Sequence, residues 1–496
     1  MSSSASSPKH ADKNSYKVVS AFDMFYQLTF MSAMASAGIS RSKTFDFAAQ
    51  SKCAAANYFI AINTLVAEYR LDYPDACRIV GLKTKSENIR SFLLSLSDAL
   101  RSGEPLVDFL GREAEVQSEE YKNSYERNLE NLKQWSNAFS SITISVALII
   151  IIQMISSMIY SSDVTVMAGL VATGVTMAGF GAWIIYRAAP AEVMTIHPKF
   201  GSEKQRRASL FTKILVPLAV TLVLIMNLLG WGMGGALVLA AICIIPIGII
   251  ALLSDRDITR KDIEFSTVLR STGSMAGSSG STIKQALQKI DLTSFPALQP
   301  DIERLSKRLE ARVEPEICWH QFGQETGSRL ISQVVDVFFG AIRIGGEPER
   351  VGYLCSQFVS RATQLRAKRR LISGTFSGLT SVMQAVVASL MVFVLSVITN
   401  FANMVTELVP QNADSAMQNQ PQMNLGMAQF SPQDLQFLAI ITMTMMIMIS
   451  ATSALAVIFA DGGMKLKVFF YLAITICISG LSLILIPQVV SNILTI

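Results

Sequence analysis

Charge is scarce in this chain, and paired metal ligands are scarcer. Of 496 residues, 16% are Asp, Glu, Lys or Arg and 51% are hydrophobic, whereas a soluble domain carries about a quarter charged residues. That balance argues against a wholly soluble enzyme. The formal net charge of +5 is small for the length and gives no basic excess able to neutralise many phosphates, so no nucleic-acid partner is expected. Six cysteines stand apart at 53, 77, 243, 318, 355 and 477, with no Cys-x-x-Cys pair, beside only His10, His197 and His320. A disulfide framework and a zinc module are both poorly supported. Met1 to Tyr16 is serine-rich and has no apolar core, so it reads as a disordered cytoplasmic tail rather than a signal or an anchor.

Long apolar runs are what the chain does have. Crossing about 30 Å of hydrocarbon takes roughly 20 mostly apolar residues, and seven segments qualify, near 138–160, 164–186, 214–230, 234–253, 377–402, 436–460 and 468–490. Gly230, Gly232, Gly234 and Gly235 make a tight connection between the third and fourth, which are expected as two full spans, the alternative being two half-inserted helices. Seven spans sort the hydrophilic segments into two sets. One set, 1–136, 187–213, 254–376 and Lys465 with Lys467, holds all 42 Lys and Arg residues. The other contains none, yet holds Asp163, Glu407, Asp414 and Asp434. The positive-inside rule then places the N-terminus and both large hydrophilic regions in the cytoplasm and the C-terminus outside a multi-pass cell-membrane protein.

The expected organisation is all-α: a tail at 1–16, a cytoplasmic helical bundle at 17–136, four spans at 137–253 with a cytoplasmic loop at 187–213, a second bundle at 254–376, and three spans at 377–496 with an outer loop at 403–435. In the first bundle apolar residues recur at helical spacing, as in Phe92, Leu93, Leu96 and Leu100. Breaks are expected at Gly38, Tyr73-Pro74, Gly81 and Gly103, followed by one long helix running into the first span. The second bundle repeats the plan. Ser36-Ala37-Gly38-Ile39-Ser40 aligns with Ser278-Ser279-Gly280-Ser281-Thr282 at an offset of 242, and Gly103-Glu104-Pro105 aligns with Gly346-Glu347-Pro348 at 243. This is an internal duplication. Gly38 and Gly280 mark helix-tip turns, where glycine takes the left-handed conformation that ends a helix.

Catalytic chemistry is not supported by these residues. The stretch from Gly273 to Thr282 has Ser281 where a phosphate-binding loop needs lysine, and no strand pattern precedes it. The histidines have no one-turn pair. Asp163 and Asp461 fall at predicted span ends, and the interior amides Gln153, Asn227, Gln384 and Asn400 suit hydrogen bonds between helices, with a pathway or gate as the alternative. Met443, Met445, Met446 and Met448 read as flexible packing. No catalytic residue, metal or cofactor is expected. Two basic clusters stand out: Lys204, Arg206 and Arg207 in the 187–213 loop, and Arg366, Lys368, Arg369 and Arg370 before the fifth span. They serve either as anchors at anionic headgroups or as docking points for an acidic cytoplasmic partner. The Gly-Glu-Pro turns at 103–105 and 346–348 are helix punctuation or a further partner contact.

The order of these features resembles the type II secretion F-domain family, the polytopic platform proteins of type IV filament and secretion machines. The residues that carry the resemblance run from Leu94-Ser95-Leu96-Ser97-Asp98-Ala99-Leu100 through Gly103-Glu104-Pro105, Phe109-Leu110, Arg112-Glu113-Ala114 and Tyr125-Glu126-Arg127 to Leu132 and Trp135. They look most like the archaeal branch, which includes archaellum and archaeal pilus platforms. The resemblance covers roughly residues 20–400. It implies a non-enzymatic platform beneath which a hexameric secretion ATPase docks, and which passes the motor's motions to pilin-like subunits leaving the lipid bilayer. A symmetric motor and filament lead us to expect at least a homodimer. Seven spans, four of them between the bundles, depart from the three-span bacterial relatives. The rival reading is a secondary transporter or channel built by duplication, against which no charged residue lies mid-membrane and the repeat lies mainly in cytoplasmic helices.

Overall fold

A computed structural model describes residues 19–159, 164–196, 201–228, 232–408 and 432–494. The tail at 1–16, the turn at 161–163, Gly230 and most of the 403–435 loop lie outside the described residues, as do His10 and His197. The described residues form α-helices joined by turns and short 3-10 segments, with no β-strand among them. In chain order the helices are α1 (Ala21–Ala35), α2 (Arg41–Gln50), α3 (Ala56–Tyr69), α4 (Tyr73–Lys83), α5 (Glu87–Ser102), α6 (Leu106–Ile159), α7 (Val164–Ala188), α8 (Glu203–Leu228) and α9 (Met233–Ser279). They continue with α10 (Ile283–Lys289), α11 (Gln299–Glu310), α12 (Pro315–Glu325), α13 (Arg329–Arg343), α14 (Pro348–Leu408), α15 (Pro432–Asp461) and α16 (Val468–Leu494). Seven helical segments are long and apolar enough to cross a membrane, with α8 and α9 forming two separate ones.

Two compact units divide the chain. One comprises 1–127, 200–202 and 257–366, and the other 128–199, 203–256 and 367–496. Helices α6, α9 and α14 each contribute residues to both.

The first unit contains the duplication, and its register is 242 residues at four of the helix starts. Helix starts correspond at Arg41 and Ile283, Tyr73 and Pro315, Glu87 and Arg329, and Leu106 and Pro348. Caps correspond as well: Ser40 accepts from Lys43 N and Thr282 from Gln285 N, each satisfying a first-turn donor that the helix leaves orphaned. Gly38 and Gly280 are left-handed, with φ of +68° and +58°. At the second turn the left-handed residues are Gly103 (φ +80°) and Gly345 (φ +99°), not Gly346. Glu104 N donates to Ala99 O at 3.2 Å and Gly346 N to Ala341 O at 2.9 Å, the same six-to-one closure of a helix C-terminus. The sequence match at 243 therefore pairs Gly346 with the wrong partner, and the second Gly-Glu-Pro starts its helix one residue earlier in the motif.

Gly81 does not break a helix; it lies inside α4, where a Cβ would stand 3.2 Å from Leu93 Cβ. Its counterpart Gly323 in α12 would meet Ser332 Cα at 3.0 Å. Both glycines let a helix pair approach closely, which a side chain would prevent.

A core of Leu28, Phe45, Phe59, Ile62, Phe92, Leu96 and Leu110 fills the first copy. The copies also pack on one another. Phe25 on α1 lies 4.7 Å from the Phe358 ring on α14, Lys52 pairs with Asp336 at 2.8 Å, and Arg361 pairs with Glu119. In the other unit Val146, Ile150, Met154, Met391, Ile398, Met445 and Ile449 form one apolar core from α6, α14 and α15.

Candidate docking and coupling residues

The basic cluster on α14 divides by helix face. Lys368 is exposed, whereas Arg366 and Arg369 are buried and Arg370 is half-buried. Arg366 Nη1 donates to Asp262 Oδ2 on α9 at 2.8 Å, and Ser328 Oγ donates to the other oxygen of the same carboxylate. Two residues expected to face a partner are therefore committed inside the chain. A guanidinium removed from water needs such partners, because an unpaired buried charge costs several kcal/mol.

Arg369 is 2% exposed and donates to three backbone carbonyls: Nε to Ala460 O (2.9 Å), Nη2 to Phe459 O (3.1 Å) and Nη1 to Pro190 O (3.0 Å). It thus satisfies the orphaned carbonyls at the end of α15 and ties them to the segment after α7. Its guanidinium lies against Gly462, whose φ is +69°, leaving no room there for a side chain. Beside it, Asp255 on α9 accepts from Arg370 Nη2 at 3.3 Å and from Lys467 Nζ at 3.1 Å. Lys467 also bonds Asp461, which accepts from Ser373 Oγ at 3.1 Å. Five chain segments meet in this buried lattice, and each named charge has an opposite charge or carbonyl in reach. Chemically it is a buried polar joint.

Asp255 and Asp262 are the buried carboxylates of these contacts that the sequence pattern did not single out. Their spacing of seven, two helical turns at the end of an apolar span, was the available signal. Gln384, expected to bond between helices, donates to Ser450 Oγ (2.9 Å) and Ser479 Oγ (3.0 Å), joining α14 to α15 and α16.

Most of the other expected docking residues lie at the surface. Lys204, Arg206 and Arg207 are exposed on the first turns of α8, and Arg207 pairs with Glu203 at 2.6 Å. Gly103, Pro105 and Glu347 are exposed, Pro348 opens α14 half-buried, and Glu104 is half-buried and paired with Arg112. Gly346 is buried, where a Cβ would stand 2.7 Å from Ala341 O. Gly38 and Gly280 are exposed tips.

Among the described residues no group of three metal-capable side chains occurs. Burial pushes the Cys77 thiol up to about 12 and also raises Cys53, so both stay protonated at neutral pH and are poor nucleophiles.

A bundle of this order, leading through an unbroken helix into an apolar span, has a known counterpart. Residues 28–154 match the family of the Type II secretion system (T2SS), protein F. The resemblance read in the sequence therefore holds, and it falls on the first bundle with the helix that leaves it. Two curated relatives are both named flagella accessory protein J. The one from Methanocaldococcus jannaschii is 26% identical over 306 residues, 60% of this chain and 54% of that protein. The one from Methanococcus voltae is 21% identical over 328 residues, 64% of this chain and 59% of that protein. The chain thus spans little more than half the length of the curated relatives it matches. No solved structure matches it.

Proposed function

We propose that this protein is the membrane platform of a type IV filament machine of the archaeal kind, without catalysis of its own. The observation that carries the reading is α14. A single 61-residue helix holds the Arg366–Asp262 pair of the duplicated unit, the Arg369 and Arg370 lattice of the apolar unit, and a membrane-length run. A helix of that kind conveys displacement or torque where a flexible linker would dissipate it. In this reading a hexameric cytoplasmic ATPase docks on the duplicated unit, which faces the cytoplasm with the N-terminus. The exposed cations Lys204, Arg206, Arg207 and Lys368, with the turns at 103–105 and 346–348, are the contact points. Arg366 and Arg369 act as internal couplers. Pilin-like subunits meet the apolar helices laterally in the bilayer, and two copies of the chain serve one motor.

Match to protein F over 28–154 supports this reading, as do the two accessory-protein relatives. The test is a deletion strain: filaments disappear, and return with the wild-type chain but not with a chain carrying Arg369→Ala and Asp255→Asn that still reaches the membrane. Filaments in the deletion strain, or solute flux through the purified protein in vesicles, would overturn the platform reading in favour of a transporter.

A further inference from the structure

One of the packed positions at which the two copies differ stands beside a cavity in the second copy. In the first copy Tyr73, at the start of α4, lays its ring 4.6 Å from Phe45 on α2 and donates its hydroxyl to Ser42 Oγ at 3.0 Å. The residue 242 positions on is Pro315, at the start of α12, and Ser42 is replaced by Lys284. Proline suits the first turn of a helix, but it cannot span the gap to α10. A cavity of 630 Å³ stands there, lined by Leu309, Val313, Trp319, Phe338 and Ile342, with Lys284, Arg312 and Arg343 among its polar residues. The same register that places Tyr73 between α4 and α2 places this space between α12 and α10.

We propose that this cavity is a seat for an aromatic side chain of a partner protein, presented on a segment whose flanking residues are carboxylates. The first copy gives the occupant's chemistry, because Tyr73 and Ser42, the counterparts of the lining residues Pro315 and Lys284, pair an apolar ring and its polar tip with a hydroxyl there, a combination suited to half-wet interfaces. Charge selects the flanks. Arg343 is paired with Glu316 at 2.5 Å, whereas neither Lys284 nor Arg312 has an ion-pair partner among the described residues. With Glu314 the only other carboxylate in the lining, three cations face two anions. Arg312 is also held in a left-handed conformation, φ +57°, that only a few per cent of non-glycine residues adopt. Its counterpart Arg70 has φ +51°, so both copies fix an arginine backbone at this corner. The chain's own Tyr16 is flanked by Lys13 and Lys17, the wrong charge for this rim.

The experiment uses the full chain in detergent and a fluorescent peptide with one tyrosine between two pairs of Asp and Glu, read by anisotropy. Saturable binding is expected, weakened by about tenfold when the peptide's tyrosine becomes alanine, the order of an aromatic contact, and weakened similarly when its flanks become lysine. Pro315→Tyr, which sets the first copy's ring at the cavity's edge, should abolish binding, while Pro315→Ala retains it. Lys284→Glu with Arg312→Glu should lose it. Absence of saturable binding, equal binding of the alanine or lysine peptides, or indifference to Pro315→Tyr would overturn the proposal. A tenfold gain on deleting residues 1–17 would assign the seat to the chain's own tail and overturn it equally.

Discussion

Arg366 on α14 donates to Asp262 on α9 at 2.8 Å, with only 6% and 5% of the two side chains exposed. Removing the carboxylate takes its opposite charge from a buried guanidinium. Asp262→Ala should cost about 3–5 kcal/mol, seen as a large fall in the thermal midpoint of the purified protein. Arg366→Met combined with Asp262→Leu should recover most of that loss, since an apolar pair needs no solvation. Equal stability of Asp262→Ala and wild type would refute the burial of the pair.

Gly273 and Gly352 bring α9 and α14 together in the duplicated unit. A Cβ on Gly273 would stand 2.5 Å from Pro348 O and 3.1 Å from Gly352 Cα. Gly273→Val should force the helices apart at a cost of about 1–3 kcal/mol, the range for overpacking. The next residue, Ser274, is exposed on the same helix, so Ser274→Val should change stability by no more than about 0.5 kcal/mol. Thermal midpoints of the two variants, measured side by side, check the contrast.

Glu325 links α12 to α11 through Arg308, at 2.5 and 3.1 Å, and Arg304, at 3.2 Å. Burial alone would raise its pKa, but the hydrogen bond and charge of Arg308, with Arg304 behind it, outweigh burial and hold the carboxyl below the ordinary glutamate range. A depressed folded pKa contributes stability that is complete above the unfolded value of about 4.3 and is lost as pH falls through the folded value. Glu325→Gln should therefore cost about 0.5–1 kcal/mol at pH 7, a solvent-screened figure. The difference from wild type should vanish in acid, as denaturation at stepped pH would reveal.

The proposed topology rests on the distribution of Lys and Arg and is checked by labelling. In a background lacking the six cysteines, Lys204→Cys should react with an impermeant maleimide only after the membrane is opened, and Asp163→Cys in intact cells. The reverse pattern would invert the orientation read from the lysines and arginines.

Helix content and the seven apolar spans were legible because hydrophobic run length and helical spacing are local properties. The duplication was legible at Gly38 and Gly280 for the same reason. Its second landmark was misplaced by one residue, since two adjacent glycines, Gly345 and Gly346, look alike in sequence and only backbone φ tells which one ends the helix. Arg366 and Arg369 looked like surface charge because their partners are remote: Asp262 lies 104 residues away and Phe459 lies 90. No local pattern announces pairings of that range. Replacement of Tyr73 by Pro315 was visible in sequence but had meaning only once the 242-residue register had been set by the helices.

As a platform of the proposed kind, the chain would convert a motor's work into movement of membrane helices. The most direct test of that role is the turnover of the organism's secretion ATPase with the full-length protein reconstituted in lipid vesicles. Specific binding and a changed rate are expected, both lost when Lys204, Arg206, Arg207 and Lys368 are reversed to glutamate in a protein that remains folded. An ATPase that neither binds the intact chain nor changes its rate would contradict it.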